Sequence, residues 1–493
     1  MTEPTFGITF LHDDTEPRPA IESDLSVVGL IGPMADADMS IPFDDPIEFD
    51  SDDKMKLALL GEDNLIIDAI NAINAQLADF QQAARIVLVR TEASTNVDAD
   101  LAEQENIANI LGNSTAKTGL HAFLRAGQKL GVIPRLIAAP GFTHQQPSGI
   151  ASITVTDGGS GYTVAPTVTI TPDNGATAHA ILTGNAVTSV VIDNPGQWFD
   201  TPPTIDFVGD GTGATATATL EELSNPICST LPGVLNKLLG MAVIGGPADS
   251  KQAFVDWRET LQSERLIPVA STVKITDANG VVQVRPSEGR VIGIGVRRDF
   301  EKNGKPFHSW ANQPVQGIVG PNRFIEFSLT DGATEGQEIL AANGGVILRG
   351  QYGVETATAS GGFVYVGTDT LSEDSLWQFY NVVRGRDYIH LMFLRTLRYY
   401  LGRFNLNGQT IQSVVNTMEF ALRDLKADNH ILGYQVGFSK DQNSPEQLRL
   451  GKFTVRFAAE EPPVLRRLVI QSARYRPALD ALLDDLLTQL EVA

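Results

Sequence analysis

SITVTDGGSGYTVAPTVTITPDNGATAHAIL, residues Ser152–Leu182, is followed by a near copy of itself, SVVIDNPGQWFDTPPTIDFVGDGTGATATATL, residues Ser189–Leu220. Ile153 aligns with Val190, Val155 with Ile192, Tyr162 with Phe199, Pro166 with Pro203, Ile170 with Phe207 and Leu182 with Leu220, at an offset of 37 that grows to 38 after one extra residue. Each copy reads as a short strand, a Gly-rich turn ending in an aromatic, Pro-Thr, a second strand, a Gly-Ala turn and a small-residue third strand. The alternation in TVTI, TIDF and TATATL suits a sheet with one buried face. One copy is too small to bury that face alone, whereas two can close over each other, which predicts a compact all-β module over 147–223.

The flanks explain where this module sits. SVVGLIG from Ser26 and RIVLVR from Arg85 read as buried strands, and LIIDAINAINAQL (Leu65–Leu77) as an amphipathic helix between them. HAFLRAGQKLG and PRLIAAPG repeat the order helix then strand. The rhythm stops at Gly141 and resumes with LPGVLNKLLGMAVIGGP and VDWRETLQSERLIPVA. Alternation of this kind implies an α/β layer with a largely buried sheet, so 26–146 and 224–370 form one discontinuous body and the repeats are an insertion in it.

From Leu371 the pattern changes again. LWQFYNVVRGRDYIHLMFLRTLRYYLGRF gives a long helix with Ile389, Met392, Phe393, Thr396 and Leu397 on one stripe, and TIQSVVNTMEFALRDLKA gives a second. HILGYQVGF and LGKFTVRFAA read as strands, LRRLVIQSARY as a third after Pro462 and Pro463, and ALDALLDDLLTQL as an acidic amphipathic helix. An α+β domain over 371–462 and an arm over 463–493 follow. At the other end TFGITF, Thr5–Phe10, is a strand without a local partner, because an acidic Pro-containing stretch succeeds it; 1–25 reads as an extended arm.

The 493 residues exceed the ~250–300 at which single cores stop growing, in keeping with several domains. Cys228 is the only cysteine, which excludes a disulfide framework and a thiolate metal cage and leaves a buried structural thiol. No secretory n-region or h-region opens the sequence, which implies cytosolic synthesis, and no run of ~18 apolar residues is present for a membrane span. A net charge of -22 argues against nucleic acid as partner. The charge is polarised: Met1–Asp63 holds 16 carboxylates against 3 basic side chains, whereas Leu371–Arg476 holds 15 basic against 10 acidic.

No phosphate-loop spacing, HExxH, helical His pair or GxSxG elbow occurs, so no catalytic, metal or cofactor residue is assigned. Adjacent acids such as Asp13 and Asp14, or Asp44 and Asp45, read as solvated. The Asn113 acceptor pattern carries no meaning without a secretory context. Tyr162, Trp198 and Phe199 fall at turns, where they are either aromatic plugs of a small β core or candidate glycan contacts.

Several stretches, in one order along almost the entire chain outside the repeats, resemble contractile tail sheath proteins of P2-like and Mu-like phages. They are TFGITFLHDD with SVVGLIGPMADAD, PRLIAAPGFT, RVIGIGVRRDFEKNGKPFHSWANQPVQGIVGP, GTDTLSEDSLWQFYNVVRGRDYIHLMFLRTL and NSPEQLRLGKFTVRFAAEEPPVLRRLVI. The repeats are absent from minimal members. The resemblance implies an α/β body with a C-terminal polymerisation domain, assembled as hexameric rings around a tail tube in a virion tail, with baseplate and tail terminator proteins as further partners. It implies an N-terminal strand, Thr5, Phe6, Gly7, Ile8, Thr9 and Phe10, and a C-terminal strand, Leu465, Leu468, Val469 and Ile470, donated to neighbouring subunits. The acceptor sheet would be Tyr434, Val436, Phe438, Phe453, Val455 and Phe457. Arg384, Arg386, Arg395, Arg398 and Arg403 become candidates to face an acidic tube. A headless bacteriocin or other injection device is the alternative device, and a carbohydrate-binding adhesin built on the repeats the more distant one; an enzyme is not expected.

Overall fold

The computed structural model describes residues 24–277 and 279–491. The arm strand expected at Thr5–Phe10 lies outside the described residues.

The apolar run at the start forms β1 (Val28–Pro33), buried on both faces as a central parallel strand must be. β2 (Ile47–Asp50), a short α1 (Lys54–Leu57), α2 (Leu65–Leu77) and β3 (Arg85–Thr91) follow. Asn64 starts α2 by accepting the Ile66 and Ile67 N–H groups at 3.1 and 2.9 Å. Ile66, Ile70, Ile73 and Leu77 then recur at helical spacing and are all buried. α3 (Ala99–Leu111), α4 (Phe123–Lys129) and β4 (Leu136–Ala138) complete this half.

Here the chain departs into the repeats. β5 (Ser148–Ser160), β6 (Thr167–Thr171), β7 (Thr177–Thr183), β8 (Ala186–Asn194), β9 (Thr204–Val208) and β10 (Thr212–Glu222) form one sheet, in the order β5-β10-β9-β6-β7-β8. The copies do not fold as two separate three-stranded sheets. The third strand of each pairs with the first strand of the other, and the two middle strands pair at the centre, an arrangement unchanged when the copies are exchanged. The outermost strands β5 and β8 also approach each other, and at the strand ends Ile150 N–H donates to Pro195 O (2.9 Å) and Tyr162 N–H to Asn185 O (3.1 Å), which curls the sheet edge to edge. At the base Leu223 N–H donates to Pro147 O at 2.8 Å, which brings entry and exit side by side.

The body resumes with α5 (Pro226–Leu238), β11 (Met241–Gly245), α6 (Lys251–Glu259) and β12 (Leu266–Val269). The sheet order is β12-β11-β4-β1-β3-β2, parallel except for β2. β1 has β3 on one side and β4 on the other, so the connections run both ways from it, as in doubly wound sheets. Helices cover both faces: α2 on one, α3 to α6 on the other. β13 (Thr272–Thr276) and β14 (Val282–Pro286) make a hairpin before α7 (Glu288–Glu301), which joins α2. A Cβ at Gly289 or Gly293 would lie 2.7 Å from Ala69 Cα or 2.9 Å from Ile73 Cα, so the contact between these helices requires glycine. β15 (Gln313–Pro314), β16 (Gly320–Pro321), α8 (Glu335–Ala341), β17 (Val346–Arg349) and β18 (Phe363–Val366) finish the body with two small sheets.

α9 (Tyr380–Leu397) and α10 (Gly408–Ala427) carry β19 (Gly433–Gly437), α11 (Pro445–Arg449) and β20 (Arg456–Glu460). Residues 463–493 are a separate unit. Within it, 463–475 hold no helix or strand and α12 (Pro477–Glu491) follows. The third strand expected near Leu465–Gln471 is therefore not formed among the described residues. Leu465, Leu468, Val469 and Ile470 are between 69% and 81% exposed, apolar side chains without a ladder partner.

Candidate functional site

β19 and β20 pair antiparallel, Tyr434 opposite Ala459 and Val436 opposite Phe457, and constitute a whole sheet by themselves. Tyr434, Val436, Phe457 and Ala459 rest on Ile389, Met392 and Phe393 of α9 and on Met418, Leu422 and Leu425 of α10. The Phe393 and Phe457 rings meet edge to face at 5.1 Å. A two-stranded ribbon is marginal alone, and these helices supply the face it lacks. What they do not supply is an edge: among the described residues no strand lies beside either outer row of N–H and C=O groups.

Phe438, Phe453 and Val455 were expected in this sheet and instead flank it. Phe438 and Phe453 stack at 5.6 Å beyond the strand ends. Thr454 is diverted by a side chain, since its N–H donates to Asn443 Oδ1 (2.8 Å) and its carbonyl accepts from Asn443 Nδ2 (2.9 Å). A backbone satisfied in this way has nothing left for a ladder.

α9 ties the hairpin to the body and holds the points where both chain ends leave. Arg384, 2% exposed, donates to both Asp299 oxygens (3.0 and 2.6 Å) and to Leu25 O (3.2 Å), and Ser26 Oγ donates to the same carboxylate at 3.1 Å. Asp387 accepts from Arg265 at 2.6 and 3.2 Å. Arg386 grips Glu461 at 2.7 and 2.9 Å and Ala459 O at 2.7 Å, while Asn381 Nδ2 donates to Pro462 O at 3.1 Å. Buried pairs add little net stability but are severe when broken, so they fix one geometry. Asn381 and Arg384 carry no sequence signal for this role: Leu25 lies 359 residues from Arg384.

The tube-facing candidates divide accordingly. Arg384 and Arg386 are spent on internal carboxylates and offer no charge to a tube. Arg395 is half-buried, whereas Arg398 and Arg403 are exposed at the end of α9, Arg403 over the Tyr399 ring at 4.4 Å. Leu394, Leu401 and Phe404 are exposed in the same segment, which gives this end of the domain mixed apolar and basic character.

At the carboxyl ends of the strands, where doubly wound folds keep their sites, the described side chains of the body bond to one another. Beyond β4 and β11, Thr143 Oγ1 donates to Gly245 O and accepts from Gly245 N–H, at 2.8 and 2.9 Å. Trp257 Nε1 donates to Thr143 O at 3.0 Å. Glu288, 2% exposed, accepts the Gly141 N–H at 3.1 Å, and burial raises its pKa above the usual carboxyl value. The region is occupied by its own side chains. Cys228 is fully buried and burial pushes its thiol up, away from reactivity. Among the described residues no three His, Cys, Asp or Glu come together as metal ligands, and no helix is long and apolar enough to cross a membrane.

Two glycan candidates are also corrected. Tyr162 is 1% and Phe199 3% exposed, each closing one part of the module's interior. A ring without an open face cannot stack on sugar. Trp198 alone of the three is half-buried.

No family model matches the chain. It is 27% identical over 240 residues to a prophage major tail sheath protein of Pseudomonas aeruginosa (strain UCBPP-PA14), covering 48% of this chain and 58% of that one. It is 19% identical over 477 residues to the tail sheath protein of Escherichia phage P2, covering 96% of both. Among solved structures it matches the contracted sheath of an extracellular contractile injection system, PVC, with TM-score 0.56 and 12% identity over 97% of this chain and all of that one. The contracted helical sheath of the anti-feeding prophage gives TM-score 0.56 and 12% identity, covering 96% and 100%.

Proposed function

We propose that the chain is a contractile tail sheath protein, structural and not enzymatic, that polymerises as stacked hexameric rings around a tail tube. Contraction of that polymer drives the tube through a host cell envelope. The observation that carries this reading is the two-stranded sheet with both edges open among the described residues, on the helix that also holds Leu25 and Pro462. An arm strand from a neighbour completes such an edge by β-augmentation. Thr5–Phe10 fits one edge, and the segment holding Leu465, Leu468, Val469 and Ile470 the other. Each hydrogen bond is worth about 1 kcal/mol net, so a strand of four to six residues with apolar side chains contributes several kcal/mol per junction. With no nucleotide site assigned, the energy of contraction resides in two alternative packings of the same subunits.

Arg398 and Arg403, with Arg395 beside them, face the tube in this reading; baseplate and terminator proteins bound the polymer, which is part of a virion tail assembled in the bacterial cytoplasm. A headless injection device is the second reading, favoured by the likeness to the PVC and anti-feeding prophage sheaths. The repeat module is carried outward, where it meets host surface glycans. The test is deletion of Met1–Asp14: folded subunits that form no rings or sheath in negative-stain micrographs are expected. Normal contractile sheaths from that protein would overturn the arm-exchange mechanism.

A further inference from the structure

The two repeats provide an internal control, because their exchange symmetry sets matching turns of the two copies at opposite ends of the module. At the end formed by Gly161–Thr163 and Asp210–Gly211 the turns close on themselves. A Cβ on Gly211 would lie 2.5 Å from the Tyr162 ring, and the Thr163 N–H donates to the Asp210 carboxylate at 3.1 and 3.2 Å.

At the other end the corresponding positions carry different side chains, with a tryptophan in place of a glycine. Asn174 stands where the second repeat has Gly211 and Thr212, Trp198 where the first has Gly161, and Asp200 where it has Thr163. These three turn residues, with Gln197, Leu101 and Gln104, line an open cleft of about 420 Å³ between the module and α3. The position of Trp198 demands a left-handed backbone: Gly161 has φ +84° and Trp198 φ +61°. Glycine takes that conformation freely and a bulky aromatic only under strain, so the tryptophan is held there against local preference. Asn174 Nδ2 holds the turn by donating to Trp198 O at 2.8 Å. Part of the indole packs on the body core, which fixes the wall in place.

We propose that this cleft is a saccharide subsite for neutral N-acetylated sugars, a deepening that rests on the glycan-reading role given to the module above. An indole supplies a stacking face, and Asn174, Gln197 and Gln104 supply amides that pair with hydroxyl and acetamido groups. The volume accommodates about two sugar rings. No Lys or Arg lines the cleft and Asp200 does, so anionic sugars and phosphates are disfavoured.

The experiment titrates the full chain with N-acetylglucosamine tetramer, with hyaluronan tetramer as the anionic control, by saturation-transfer NMR and calorimetry. Binding with a Kd of about 1 mM is expected for so small a site. Gln104→Ala and Asp200→Ala, on exposed or half-exposed positions that leave the Trp198 anchor intact, each weaken it by roughly tenfold. Thr163→Ala, at the closed end, leaves it unchanged. Equal binding by wild type and both variants places the sugar elsewhere on the chain and overturns the cleft alone. Equal affinity for hyaluronan overturns the assigned chemistry. Absence of binding by the wild type to either sugar overturns the subsite, while binding of other sugars on a glycan array would still preserve the wider glycan reading.

Discussion

The repeat module and the C-terminal hairpin face the same difficulty, the unpaired edge of a sheet, and treat it in opposite ways. The six strands of the module exchange partners between copies and curl until the edge strands β5 and β8 face each other, bonded at both ends. Among the described residues the hairpin has two strands, one covered face and both edges open. A sheet whose edges face each other is self-sufficient and can be added to a body without disturbing it; one with free edges is a component awaiting strands from elsewhere. The difference assigns autonomy to the first region and assembly to the second.

The strongest attempt to break this contrast compares two excisions. Removing residues 463–493 abolishes sheath formation in electron micrographs and leaves the thermal melting of the soluble subunit unchanged. Replacing residues 148–222 by a short Gly-Ser linker leaves sheath formation intact, because Pro147 and Leu223 are already bonded at the stem. Sheaths in the first case, or none in the second, would reverse the roles. A smaller effect concerns the anchor. Arg384→Ala strands the buried Asp299 carboxylate and costs about 3–5 kcal/mol, read from denaturant unfolding.

The smallest effect is a pH dependence where the body meets the C-terminal domain. Burial, with Lys302, His430 and Arg298 nearby, pushes the His308 imidazole down from 6.5 to about 4. The unfolded chain then binds the extra proton first as pH falls, so this contribution is complete above pH 6.5 and is lost progressively from there to about pH 4. Melting temperatures decline over that window, and His308→Asn flattens the decline.

Sequence periodicity located what depends on neighbours in the chain. α2 occupies Leu65–Leu77 because its apolar spacing and its Asn64 cap are both local. The repeats were equally visible, but the strand exchange between them was not, since either copy could have paired with itself. Charged residues were the least legible. Arg384 and Arg386 look like solvent-facing arginines on a helix, and only the carboxylates brought from Asp299 and Glu461, 85 and 75 residues away, turn them inward. Phe453 and Val455 follow a strand pattern that the Asn443 side chain interrupts. Trp198 is conspicuous as a residue, but its left-handed turn and its cleft appear only when the two ends of the module are compared.

Asn381 holds the carbonyl of Pro462 and Arg384 that of Leu25, three residues apart on one helix. A pull arriving through one terminus can leave through the other after crossing a single turn, about 4.5 Å of α9. The Arg384–Asp299 and Arg265–Asp387 pairs hold the same helix to the body, so the short strut that bears the tension is braced from the side.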